Sequence, residues 1–132
     1  MRGSWCGFPT CFAGWSTIDP KTFNESPATY SWYDSQANPM TTIAATSNGH
    51  VWVGSYNLNA QTFGGWSDLG SATGTAADSA PAIALYNKTT AQPNPQTADQ
   101  SEAIVVVHAN NGKYEYRDIK SGNSWVFLPT GP

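Results

Sequence analysis

One phrase recurs along this chain and limits what it can fold into. Thr62-Phe63-Gly64-Gly65-Trp66-Ser67-Asp68-Leu69-Gly70 repeats the earlier Cys11-Phe12-Ala13-Gly14-Trp15-Ser16-Thr17-Ile18-Asp19, and returns more loosely as Gly122-Asn123-Ser124-Trp125-Val126-Phe127-Leu128. Trp15 and Trp66 stand 51 positions apart, and Trp66 and Trp125 stand 59 apart. The excess lies in a polar insertion, residues 87–101. Three copies at this spacing describe a repeat array in which each unit has room for about four short strands.

The residues between the copies support that division. Short β-prone runs alternate with turn residues: Ala28 to Tyr33, Thr41 to Thr46, His50 to Tyr56 and Phe63 to Leu69 in one unit; Pro81 to Tyr86, Glu102 to Ala109, Lys113 to Ile119 and Ser124 to Leu128 in the next. Ser47-Asn48-Gly49 is answered by Asn110-Asn111-Gly112, and Asn-Gly is a strong hairpin signal because both residues tolerate positive φ. Charged residues make up 11% of the chain and aromatics 13%, so good helix formers are scarce and an all-β fold is expected. Antiparallel four-stranded units at a period near 50 are the sequence mark of β-propeller blades. The boundaries follow as a partial blade or N-terminal hairpin over 1–25, one blade over 26–78 and a second over 79–132. The Gly, Ser, Ala and Thr run from Gly70 to Ala80 reads as a linker between the two blades.

About two blades and a fraction do not close a ring, since propellers carry roughly 4 to 8. An open array leaves apolar faces uncovered at its ends. Homo-oligomerisation is therefore expected, with a trimer giving six blades; a piece of a longer propeller is the competing explanation.

The stretch Ile104-Val105-Val106-Val107-His108-Ala109-Asn110-Asn111-Gly112-Lys113-Tyr114-Glu115-Tyr116-Arg117, followed by Trp125, resembles a blade of the small bacterial and fungal propeller lectins. Those include trimeric two-blade fucose-binding lectins and the longer propellers of the Photorhabdus lectin type. The resemblance covers most of residues 26–128 and implies non-catalytic sugar recognition in grooves between blades. It does not extend to the fucose residues. The family's b-strand Arg position looks like Thr42 and Val105, its c-strand Glu position falls on Val53 and Tyr116, and Glu115 is one residue off.

A sugar offers a C–H face and a hydroxyl rim, which calls for an aromatic platform with polar neighbours. Trp32, Trp52, Tyr56, Trp66, Tyr114 and Trp125 are the sugar-binding candidates, with Glu115 the nearest acid. The repeated Trp15, Trp66 and Trp125 also suit packing between blades. Trp52, whose counterpart in the second unit is Glu115, is the least core-like of the set.

Other chemistries find little purchase. A net charge of -3 with six Lys and Arg gives no footprint for nucleic acid, and no run is long and apolar enough to span a bilayer. His50 and His108 flank turns and read as solvated. The acids Asp19, Asp34, Asp68, Asp78, Asp99, Glu102, Glu115 and Asp118 single out no pair of the kind a glycosidase needs. No enzyme activity, metal or cofactor is expected, although a piece of a propeller glycan hydrolase and a structural or protein-binding propeller remain the alternative readings. Cys6 and Cys11 could close a small loop or stay reduced; a disulfide would suit a secreted or extracellular setting. Met1-Arg2-Gly3-Ser4 reads as an expression leader, and Asn24-Glu25-Ser26 and Asn87-Lys88-Thr89 match the N-glycosylation pattern.

Overall fold

The computed structural model describes residues 2–5, 12–17, 21–23, 25–85, 103–119 and 124–129, with residues 2–5, 12–16 and 85 described by backbone alone. Cys6, Cys11 and the insertion at 87–101 lie outside the described residues. Among the described residues the chain is all-β, with ten strands and no helix. The strands β1 (Arg2–Trp5) and β2 (Phe12–Ser16) pair antiparallel, with Gly3 opposite Trp15. After them come two four-stranded antiparallel sheets. The first is β3 (Ala28–Tyr33), β4 (Pro39–Ser47), β5 (His50–Asn57) and β6 (Thr62–Gly70); the second is β7 (Ala82–Leu85), β8 (Ala103–His108), β9 (Tyr114–Asp118) and β10 (Val126–Phe127). Each runs as a simple meander in chain order. The strands expected from alternation therefore form, with ends shifted by a few residues.

The two central hairpins differ by one residue. Ser47 pairs directly with His50, so Asn48 and Gly49 alone make the turn, at φ of 53° and 80°. Positive φ at both central positions is the type I′ requirement that twists with the strands. In the second sheet the Gly112 N–H donates to the Ala109 carbonyl at 3.0 Å and the Ala109 N–H to the Lys113 carbonyl at 2.8 Å. Three residues, Asn110 to Gly112, thus span the turn, with only Gly112 needing positive φ (84°). Trp52 lies opposite Ala45, and Glu115 lies opposite Val107. On β5 and β9 the correspondence of Trp52 with Glu115 holds. On β4 and β8 the added residue shifts the match by one, so that Val105 answers Ile43 rather than Thr42.

One face of the first sheet packs on one face of the second. Ala44, Val51 and Val53 meet Ala103, Val105, Val107 and Ile119, with Ala77 between them and Tyr30, Leu69, Ile83 and Trp125 at the margin. Small side chains at the centre let the sheets approach closely, and removing this apolar surface from water is the main stabilising contribution. β4 is covered on both faces, since Ala45 and Ser47 are buried along with Ala44 and Thr46. β8 instead alternates: Ala103, Val105 and Val107 are buried, whereas Ile104, Val106 and His108 are half-exposed. The far face of the second sheet is accordingly open, and it carries the exposed Tyr114, Val126 and Leu128.

Residues 71–80 are more than the linker their composition suggests. Ala77 N–H donates to the Gly49 carbonyl at 2.8 Å, Asn110 N–H to the Ala76 carbonyl at 2.8 Å, and Asp78 N–H to the His108 carbonyl at 3.0 Å. The segment is pinned to both hairpin turns at once. Gly49 is required there, because a Cβ at that position would stand 2.8 Å from the Ala76 Cβ.

Candidate functional site

Among the described residues, an opening lies on each face of the first sheet. The larger, of about 320 Å³, opens on the face that meets the second sheet. Val53, Leu69 and Ile119 give it apolar walls, Ser55 and Ser67 supply hydroxyls, and Gly54, Gly64 and Gly65 present bare backbone. Gly65, at φ of 92°, has no atom within 4 Å of the place a Cβ would occupy, so its backbone is open on that side. Glycine and serine on a twisted strand end thus make a groove with both apolar and hydrogen-bonding surface.

Trp125 and Arg117 stand at the edge of this groove. The Trp125 Nε1–H donates to the Leu69 carbonyl at 2.7 Å, and an Arg117 guanidinium N–H reaches the same oxygen at 3.4 Å. Trp125 is therefore a half-buried clasp between the sheets that also borders the opening through Leu69.

The smaller opening, of about 230 Å³, lies on the opposite face, against residue 21. Lys21, Ser47, Asn48, His50, Trp52 and Asp68 line it. The Lys21 ammonium sits 3.8 Å from the centre of the Trp52 ring, a cation held by the indole π face. His50 Nδ1 meets both oxygens of Asp68, at 2.8 and 3.1 Å, which requires the hydrogen on Nδ1 because an ionised carboxylate can only accept. Asp68 also accepts the Gly70 N–H at 2.7 Å.

The sequence-derived candidates are distributed over several environments. Trp32 is buried, and its Nε1–H donates to Thr42 Oγ1 at 2.8 Å; Tyr56 is buried as well. Both belong to the interior. Trp66 points away from the second sheet and packs against Phe23 and Phe63, with ring centres 4.7 and 5.0 Å away. Tyr114 is exposed on the open face, its ring edge-on to His108 at 5.1 Å.

Glu115, named among the sugar-binding candidates, is fully buried. Its carboxylate accepts from Ser71 Oγ at 2.5 Å, from the Ala72 N–H at 3.2 Å and from Thr75 Oγ1 at 3.2 Å. A buried carboxylate needs such a set of donors, and here they make it structural. Of these candidates, Trp52 lines the smaller of the two openings described.

The histidines are engaged rather than simply solvated. Besides the His50–Asp68 pair, His108 Nδ1 meets Asp78 Oδ1 at 2.5 Å. Lys21 and Ser55 carry no signal in the sequence, because a lone Lys and scattered Ser residues stand out only once the strands pair. Among the described residues, no group of three or more His, Cys, Asp or Glu could hold a metal ion, and no helix is long and apolar enough to cross a membrane. No protein-family model, no curated protein and no solved structure matches this chain.

Proposed function

We propose that this chain is a carbohydrate-binding β-propeller module that recognises sugars without altering them. The observation that carries the reading is the groove between the two sheets, where Val53, Leu69 and Ile119 stand beside the Ser55 and Ser67 hydroxyls and the open glycine backbone. A pyranose presents the complementary mixture, a C–H face and a rim of hydroxyls. Single grooves of this size bind weakly, and several copies on one assembly supply avidity.

Assembly of copies follows from the repeated packing. The face of the first sheet bearing Val51 and Val53 is covered by the second sheet. Its counterpart on the second sheet, bearing Tyr114, Tyr116, Val126 and Leu128, has no such cover among the described residues. A second copy packing there, head to tail, repeats the internal contact and closes by rotation; three copies give six blades.

Two measurements on the full chain test this. Glycan-array binding with no turnover of the bound sugar supports the lectin reading, and hydrolysis of a bound glycan or absence of any glycan binding at millimolar concentration overturns it. Light scattering giving three chains supports the ring, and a folded monomer of 14.1 kDa overturns it.

A further inference from the structure

We infer that Gly64 determines what the groove between the sheets admits, its missing side chain leaving the clearance that an uncharged pyranose needs to lie against the bulged strand β6. This rests on the carbohydrate reading above and names the residue that sets its selectivity.

Strand β6 carries an extra residue where it borders the groove. Gly54 pairs with Trp66 and Tyr56 with Phe63, so Ser55 alone faces the pair Gly64 and Gly65. A β-bulge of this kind re-aims the side chains around it, and bulges recur beside binding sites. Here it brings the Phe63 and Trp66 rings together, centres 5.0 Å apart, and leaves both glycines lining the groove.

Three glycines among the described residues line the groove, and the fold explains two of them. A Cβ on Gly54 would lie 2.4 Å from the Phe63 ring, so that ring can cross the strand only over glycine. Gly65 takes the positive φ of the bulge, 92°. Gly64 is under neither constraint: its φ lies outside the left-handed region, and a Cβ there would come within 4 Å of the Ser55 carbonyl oxygen alone, at 3.5 Å, an ordinary contact. Glycine in a strand nevertheless weakens it, through lost conformational freedom and the absence of a side chain to pack. Neither backbone nor packing requires that cost at residue 64. Beyond bulges and bends, glycine in a strand marks close approach of a ligand or another backbone, and what Gly64 faces is a groove of about 320 Å³.

The lining indicates the class of ligand. Val53, Leu69 and Ile119 offer apolar contact, Ser67 offers a hydroxyl, and no ionisable side chain stands among the described residues that line the groove. At the edge, Arg117 donates to the carbonyl oxygens of Leu69 and Asp118, at 3.4 and 3.1 Å. A carboxylate entering here would give up hydration without a matching charge on the walls. An uncharged ring offers C–H groups to the apolar wall and hydroxyls to the rest.

Amide-resolved NMR titration of the full chain with D-glucose, D-galactose, N-acetyl-D-glucosamine and D-glucuronate tests the inference. An uncharged sugar is expected to shift the Gly64, Gly65 and Ser67 amides and to bind more tightly than glucuronate. Gly64→Ala should weaken that sugar about tenfold or more, and Gly64→Val should weaken it further. The thermal midpoint of Gly64→Ala should stay level or rise by about 1 to 4 °C, since alanine restricts the unfolded chain at a position whose backbone accepts it. A fall in that midpoint overturns the inference, because the fold itself would then require the glycine. Equal affinity of the unaltered chain and Gly64→Ala overturns it and leaves the lectin reading standing, as do shifts confined to residues outside the groove or glucuronate binding as tightly as the best uncharged sugar. No shift with any of the four also overturns it, and the glycan array then decides the lectin reading separately. The alanine comparison holds even if Gly64→Val fails to fold.

Discussion

Trp125 reaches across the sheet interface to donate its indole N–H to the carbonyl of Leu69, 2.7 Å away and 56 positions earlier. The last strand of the second sheet is thereby tied to the last strand of the first. Trp125→Phe keeps most of the ring packing and removes the donor. It should cost about 1 kcal/mol in urea unfolding, because Arg117 continues to serve the same carbonyl. Trp125→Ala removes the packing too and should cost about 3 kcal/mol. Equal costs for the two variants would show that the hydrogen bond, rather than the ring, holds the interface.

Glu115 gives the sharper test of interior chemistry. Truncation to Ala leaves the Ser71 and Thr75 hydroxyls and the Ala72 amide facing a void, and should destabilise by about 3 kcal/mol. Glu115→Gln preserves the shape and can keep an oxygen toward the Ala72 N–H, but its NH2 then faces Ser71 Oγ, whose hydroxyl must turn to accept, for a cost of about 1 kcal/mol. Faster hydrogen exchange at the Ala72 amide, measured in both variants, reports the opening of this clasp directly.

The two turn glycines separate backbone strain from steric contact. Both Gly49 and Gly112 have positive φ, but only Gly49 has a neighbour within 4 Å, the Ala76 Cβ. Gly112→Ala should cost about 1 kcal/mol from the left-handed backbone alone. Gly49→Ala adds displacement of the 76–79 segment and should cost about 3 kcal/mol. Adding Ala76→Gly to Gly49→Ala should recover part of that loss in thermal unfolding.

The Asp34 carboxyl is surrounded by donors from its own turn. The Asn38 side-chain amide, followed by the Asn38 N–H, holds its carboxyl below the ordinary range; the Gln36 N–H adds to this and burial opposes it. A depressed folded value means that the contribution to stability is complete above the unfolded pKa, about 4, and is lost as pH falls through the folded value. Carbon-detected NMR titration should find Asp34 below an unfolded-peptide reference, and Asn38→Ala should move it up toward that reference.

Much of the fold was legible because local signals agree with the final pairing. Alternation through Ala28, Tyr30 and Trp32, and the Asn48-Gly49 turn, place strands and turns where they form. The register at Asn110 to Gly112 was not legible, since both turns end in Asn-Gly and only the strand pairing reveals the added residue. The interior role of Glu115 was hidden for a related reason. A carboxylate is buried only when its donors are assembled, and these lie 40 to 44 positions earlier in a stretch that reads as a linker. The contact of Lys21 with Trp52 became visible only once the strands were paired, since no local pattern foretells it.

The strap formed by residues 76–79 bears on geometry at a larger scale. Because it is bonded to the Gly49 turn on one side and to His108 and Asn110 on the other, rotating one sheet against its neighbour means breaking backbone hydrogen bonds at both anchors together. The angle between the two sheets is therefore fixed within the chain itself. A ring built from such chains would inherit its rotational order from that angle, and a change in the strap, far from any subunit contact, would be felt as a change in the number of subunits.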